Sequence, residues 1–312
     1  MVVVVFLLML DLGVFHRHAH AVRPREALIW SCVWVALSVC FGIWIHYMFG
    51  AKPGLEFFAG YLIEKALSVD NIFVFIMIFS YFKVPSRLHH KVLFWGILGA
   101  LVMRAALILS GAALIRRFEW ILYLFGAFLI YTGYKMLREG ETEVDPEKNP
   151  LVRKFQKVVP MAVGYGSGKF FVRQAGKLLA TPLALVLITV ETTDLMFATD
   201  SIPAIFGVTT DPFIVYTSNV CAILGLRAMY FLLAAVVDKF VYLSTGISVV
   251  LIFIGAKMLV IDFYDMPIGL SLVIVAVILS AAVVLSLLHP PKKPAEPSKS
   301  DDPLITSDSA GN

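Results

Sequence analysis

The sequence predicts an all-α polytopic membrane protein of about nine transmembrane helices, six of which form an inverted 3+3 helix repeat. Three observations carry this prediction. Hydrophobic residues make up 59% of the 312 and charged residues only 15%, far from the balance of a soluble domain. Much of the apolar content lies in runs approaching the roughly 20 residues that span a hydrocarbon core. One acidic pattern also recurs inside two of these runs, as Glu64 followed by Asp70-Asn71-Ile72 and as Asp194 followed by Asp200-Ser201-Ile202.

Taken in order, the runs are Val2–Phe15, Ala27–Met48, Phe58–Phe82, Val92–Ile115, Trp120–Leu137, Leu183–Phe206, Phe213–Val236, Val241–Ile261 and Ile268–Leu288. The first is short for a crossing, which suggests a truncated start or a segment tilted into thinned bilayer. It has no basic stretch before it and Asp11 interrupts it, so it does not read as a signal peptide. Spans three to five (about 58–137) resemble spans six to eight (about 183–261) beyond the acids. Arg104-Ala105 matches Arg227-Ala228, and Phe118–Leu137 matches Phe240–Leu259, both ending Gly-x-Lys-Met-Leu. Because each unit has three spans, the second enters the membrane from the opposite side. This is a common transporter plan, with the site near the midplane where the repeats meet.

Basic residues gather on alternate connections: Arg17, Arg23 and Arg25; Lys83, Arg87 and Lys91; Arg153, Lys154, Lys157, Lys169, Arg173 and Lys177; and Lys292 and Lys293. The positive-inside bias makes these cytoplasmic, with the N-terminus outside and the C-terminus inside; Arg116-Arg117 runs against it. Residues 1–288 are read as the transmembrane domain, 139–180 as a cytoplasmic loop and 289–312 as a disordered tail rich in Pro, Lys, Ser and Asp. Gly164, Gly166 and Gly168 lack the Lys-Ser/Thr ending of a phosphate loop and read as flexible linker. Cys32, Cys40 and Cys221 lie in predicted spans without CxxC spacing and read as small hydrophobes.

A carboxylate in mid-membrane costs about 2.5 to 3.5 kcal/mol even on the lenient insertion scale, so four at matching spacing point to a cation or proton path. Residues seven apart share a helix face, which aligns Glu64 with Asn71 and Asp194 with Ser201. Asp70 and Asp200 lie about 120° away in an unbroken helix. A shared ion therefore asks for a loosened helix, and Pro203, unable to donate to the carbonyl of Thr199, supplies a cause in the second copy. The candidate metal ligands are Glu64, Asp70, Asn71, Asp194, Asp200 and Ser201, with Asp11, Ser68, Arg104, Glu191, Thr193, Thr199 and Arg227 in support. All-oxygen donors suit magnesium, calcium or manganese. Met196 would add a softer ligand but reads better as packing. His16, His18, His20, His89 and His90 lie on basic loops and read as surface residues, with metal gathering or pH sensing as the other reading. Glu191 would either extend the ion path or pair with Arg104 or Arg227, and those arginines are expected to pair with carboxylates.

Ile63-Glu64-Lys65-Ala66-Leu67-Ser68-Val69-Asp70-Asn71-Ile72-Phe73-Val74-Phe75 resembles the pattern of the TerC family. So does Val190-Glu191-Thr192-Thr193-Asp194 running on to Ala198-Thr199-Asp200-Ser201-Ile202-Pro203-Ala204-Ile205-Phe206. The resemblance extends from Leu10-Asp11-Leu12-Gly13 to the eighth span. It implies a tellurium-resistance or Alx-type manganese exporter of the LysE transporter superfamily, in a bacterial inner membrane. Glu64, Asp70, Asp194 and Asp200 would then bind metal, and Mn²⁺ would be cargo with no tightly bound cofactor. Tellurite is an oxyanion that four carboxylates repel, so any resistance would be indirect. The expected partners are the bilayer, a divalent ion and other membrane or exported proteins, not nucleic acid. The expected function is efflux by alternating access, with proton antiport, rather than enzymatic chemistry; an intramembrane aspartyl protease would need a Gly-x-Gly-Asp element that is missing. The alternative is a non-transporting scaffold supporting metalation or membrane insertion of other proteins.

Overall fold

The computed structural model describes residues 24–139, 150–162, 164–165, 168–174, 177–234, 242–264 and 266–288. Their helices are α1 (Pro24–Phe49), α2 (Ala51–Tyr81), α3 (Ser86–Arg117), α4 (Ile121–Glu139), α5 (Pro150–Val158), α6 (Pro182–Phe206), α7 (Pro212–Ile223), α8 (Leu226–Leu233), α9 (Leu243–Leu259) and α10 (Ile268–Leu288). The fold is all-α and polytopic. By length and composition, Arg25–Phe49, Ser86–Arg117, Pro182–Phe206 and Ile268–Leu288 can each cross a membrane, and the bent pair α7–α8 makes a fifth. Helix α2 is not among them; it carries Lys52, Glu56, Glu64, Lys65 and Asp70. The first run, Val2–Phe15, lies outside the described residues, as do Asp11, His16, His18, His20 and the tail.

Helix α2 is the centre of the bundle, packing against α1, α6, α7, α8, α9 and α10. Its apolar residues enter two cores. Ile72, Phe75, Ile78 and Phe79 join Leu93, Ile97, Val190 and Ile214, while Ile63 and Phe73 join Leu129, Ile247 and Ile254. The tightest helix pair is α4 with α9, which cross at glycines. A Cβ on Gly255 would stand 2.5 Å from the carbonyl oxygen of Gly126, and one on Gly126 would stand 2.9 Å from that of Gly255. Small residues let helix backbones approach closely where lipid supplies no hydrophobic drive between helices. The other pairings run α2 with α7, α3 with α6 and α2 with α6.

Two expectations change here. The sequence placed a loosening near Asp200-Pro203, yet α6 is continuous from Pro182 through Phe206. Pro203 sits in its last turn, where the lost bond falls near the helix end, and the Gly207 amide still bonds to the Pro203 carbonyl. The break lies instead within the seventh run. Helix α7 ends at Ile223, Gly225 takes the left-handed conformation at φ 78°, and α8 resumes at Leu226 with a 40° bend.

The stretch read as a cytoplasmic loop, 139–180, carries structure where it is described. Beyond α5, strands β1 (Phe171–Gln174) and β2 (Lys177–Ala180) pair antiparallel, with Phe171 opposite Ala180 and Gln174 opposite Lys177. The hydroxyl of Tyr165 donates to the Phe82 carbonyl at 2.6 Å, and Lys91 Nζ donates to the Gly168 carbonyl at 2.8 Å. Partial burial holds the Tyr165 hydroxyl above the ordinary tyrosine range, so it remains a donor.

Candidate functional site

Arg104, in the middle of α3, is fully buried and reaches across to three other helices. Its Nη1 donates to Glu64 of α2, forming an ion pair. Its Nε and Nη2 donate to Asp194 Oδ2 and Oδ1 at 3.2 and 3.0 Å, the two-pronged geometry a guanidinium offers a carboxylate. Nη1 also reaches Ser201 Oγ at 3.5 Å and Asn219 Oδ1 of α7 at 3.4 Å. Four helices therefore converge on one cation. With both acids ionised, two carboxylates against one guanidinium leave a net negative charge of one in a buried site.

The helical spacing holds as read. Asp194 and Ser201, seven apart, both contact Arg104, and Glu64, Ser68 and Asn71 are all buried on α2. Three polar atoms here, Glu64 Oε2, Ser68 Oγ and Asn219 Nδ2, are buried without a hydrogen-bond partner among the described residues. The two oxygens are the kind of group that a hard cation or a proton engages, and the amide NH2 is a donor that a water or an anionic oxygen would accept from.

Asp200 faces elsewhere. It is half-buried and accepts from Thr132 Oγ1 of α4 at 3.4 Å, in keeping with its 120° offset from Asp194. The side chain of Asp70 lies outside the described residues, and the backbone at 70 belongs to α2. Among the described residues, no group of three or more His, Cys, Asp or Glu side chains stands close enough together to hold a metal ion. The structure thus joins Glu64 to Asp194 through an arginine and gives Asp200 a separate partner.

The supporting residues divide. Thr193 is buried and its hydroxyl bonds back to the Thr189 carbonyl at 2.8 Å, a local role. Thr199 is exposed and bonds to the Met196 carbonyl at 2.6 Å. Glu191 lies against Gly99 of α3, where any Cβ would collide with its carboxylate. Arg227 is buried in the first turn of α8. Met196 is exposed. His89 is no plain surface residue: its Nε2 meets the Val84 carbonyl at 3.0 Å, its Nδ1 meets the Tyr230 hydroxyl at 3.1 Å, and its ring stacks on Phe79.

Two features were not anticipated. Asn219 enters the cluster from α7, and the polar run Thr217-Ser218-Asn219 inside an apolar span was the available signal. A cavity of about 370 Å³ opens at one end of the bundle, lined by buried Glu56 and Lys257 together with Lys52, Thr209 and Asp211. Glu56 Oε2 accepts from Thr209 Oγ1 at 2.7 Å there.

Comparison with known proteins agrees with this architecture. The chain is 51% identical over 299 residues to the uncharacterized membrane protein STKORF319 of Myxococcus xanthus, covering 95% of this chain and 94% of that one. It is 50% identical over 294 residues to an Escherichia coli K12 protein named "Putative membrane-bound redox modulator Alx", covering 91% and 92%. An uncharacterized membrane protein of Rickettsia bellii is 41% identical over 283 residues, covering 91% and 94%. No solved structure matches. The family model described as integral membrane protein TerC family matches residues 49–293, and the chain belongs to that family.

Proposed function

We propose that this protein is a divalent-cation transporter, with manganese(II) efflux as its reaction and alternating access as its mechanism. The observation that carries the reading is the buried cluster of Glu64, Arg104 and Asp194, with Ser201 and Asn219 completing it. Two carboxylates held at depth by an arginine form a site with a built-in counter-ion. A divalent ion entering from the cytoplasmic side would compete with the guanidinium for Glu64 and Asp194. Their hard oxygens, with the Ser201 hydroxyl and the Asn71 and Asn219 amides, match manganese, magnesium or calcium rather than copper. Asp70 and Asp200 would serve as further carboxylates on the path. Exchange of the ion for protons would keep the site's charge near balance through the cycle, which is the case for antiport.

The helix pairing supports two repeats. Exchanging α2, α3 and α4 for α6, α7–α8 and α9 maps the α2–α7 contact onto α6–α3 and returns α4–α9 onto itself. An inverted repeat gives this pattern, and rocking one unit against the other would expose the cluster to each side in turn. We place the basic connections in the cytoplasm, the C-terminus with them, and the cavity beside Glu56 on the outer side. The chain acts on an ion and performs no covalent chemistry in this reading. The relatives' name carries a redox role, and a Cys32–Cys40 disulfide does not supply one here. Cys32 and Cys40 stand eight residues apart on α1, about 12 Å along its axis, and that is too far for a disulfide.

The test is manganese uptake into proteoliposomes by the wild type, Asp70→Asn and Asp200→Asn, with calcium, magnesium and tellurite as competitors. Flux in the wild type that both variants lose is expected. No manganese flux through folded wild-type protein would overturn the proposal and favour a scaffold for other membrane proteins.

A further inference from the structure

The break between α7 and α8 leaves backbone groups at membrane depth that a continuous helix would have satisfied. In an unbroken helix, the carbonyls of Cys221 and Ala222 would accept from the amides of Gly225 and Leu226. Gly225, with φ at 78°, turns the chain away at that point, and Trp34 packs directly beneath it. An unsatisfied carbonyl in a membrane interior is costly, so the break persists only with other donors. A side chain from another helix supplies one of them. Lys65 Nζ of α2 donates to the Ala222 carbonyl at 3.1 Å, while Ser38 Oγ of α1 donates to the Trp34 carbonyl at 2.8 Å and stands 3.3 Å from the Cys221 carbonyl.

Lys65 directly follows Glu64, the residue that pairs with Arg104. One step of α2 therefore fastens two things at once: Glu64 ties it to the ion cluster and Lys65 ties it to the break. On the far side of the break, Arg227 sits in the first turn of α8. An ammonium on a freed carbonyl does what a bound cation does in a broken-helix site, except that it is covalently tethered.

We infer that Lys65 is a positioning residue that latches the α7–α8 break to α2 through the Ala222 carbonyl and couples the bend of this helix to the state of the Glu64 cluster. Its consequence for transport rests on the alternating-access reading above, while the latch itself does not. When Lys65 holds the carbonyl, the break stays closed over Cys221, which is buried. When it releases, α8 is free to swing about Gly225, and the region around Cys221 opens.

Cys221 gives a direct readout. Replacing the two exposed cysteines, Cys32→Ser and Cys40→Ser, leaves it as the single thiol of the chain. The rate of its labelling by N-ethylmaleimide, followed by mass spectrometry in nanodiscs, reports opening of the break. Lys65→Met, close in length but without the donor, is expected to raise that rate about tenfold, the factor set by losing a charge-assisted hydrogen bond. Lys65→Arg, which keeps a cationic donor, is expected to stay near the wild-type rate. Wild-type labelling in folded Lys65→Met overturns the inference, and so does a rise that Lys65→Arg shares in full. Should Lys65→Met fail to fold, Lys65→Leu, which also lacks a donor, takes its place with the same outcomes. Manganese flux measured on the same samples separates the two ideas: raised labelling with no flux in any sample keeps the latch and removes the transporter.

Discussion

At the scale of single residues, Arg104 decides the site. Its five donors reach Glu64, Asp194, Ser201 and Asn219, so no other side chain touches as many members of the cluster. Removing one partner of a buried ion pair leaves an uncompensated charge and costs about 3 to 5 kcal/mol. Arg104→Met is therefore expected to lower the thermal midpoint sharply or to prevent assembly, as read by thermal shift and gel filtration in detergent. Arg104→Lys keeps the charge but loses the fork on Asp194, and an intermediate loss is expected. A wild-type midpoint in Arg104→Met would show that the cluster carries no structural weight. The seven-residue spacing made the Asp194–Ser201 face legible beforehand, and burial in lipid made a carboxylate partner for Arg104 necessary. Which carboxylates it would choose was not legible, because Glu64 and Asp194 lie 40 and 90 residues away and meet it only through packing.

At the scale of helices, the bundle rests on two kinds of glycine. Gly126 and Gly255 let α4 and α9 approach backbone to backbone, so Gly255→Leu is expected to separate the pair. Overpacking of this kind costs typically 1 to 3 kcal/mol, roughly, and the measurable outcome is a lowered thermal midpoint with the helical circular-dichroism signal retained. Gly225 serves differently, through its positive φ. Gly225→Ala should cost about 1 to 2 kcal/mol from the left-handed backbone alone, and a Cβ there would also press on Trp34 at 2.7 Å. An unchanged midpoint in that variant would mean that the break relaxes without strain. The sequence pointed to the wrong breaker. Pro203 carries the stronger local signal, but it falls in a last turn where little is lost, whereas Gly225 sits mid-span with the Lys65 ammonium of α2 covering a freed carbonyl.

At the scale of the whole molecule, the proposed orientation puts the cavity beside Glu56 on the outer face. Thr210→Cys, in its lining, is expected to react with a membrane-impermeant thiol reagent added to intact cells in a background lacking Cys32 and Cys40. Reaction only after cell lysis would reverse the assigned topology. Class, element type and most element positions were fixed by composition and hydrophobic runs, because lipid leaves a chain little choice but helices whose lengths match its thickness. The predicted ninth run, Ile268–Leu288, is α10 to the residue, and the sixth, Leu183–Phe206, differs from α6 by one residue. The sequence by itself therefore determined an integral membrane helix bundle that carries an acidic pattern twice. Only the tertiary structure decided that Glu64 and Asp194 share an arginine, that Asp200 turns to Thr132, and that the break belongs to α7–α8. Helical periodicity fixes a residue's direction about its own axis, whereas contacts between helices depend on how distant segments pack, and no local pattern encodes that.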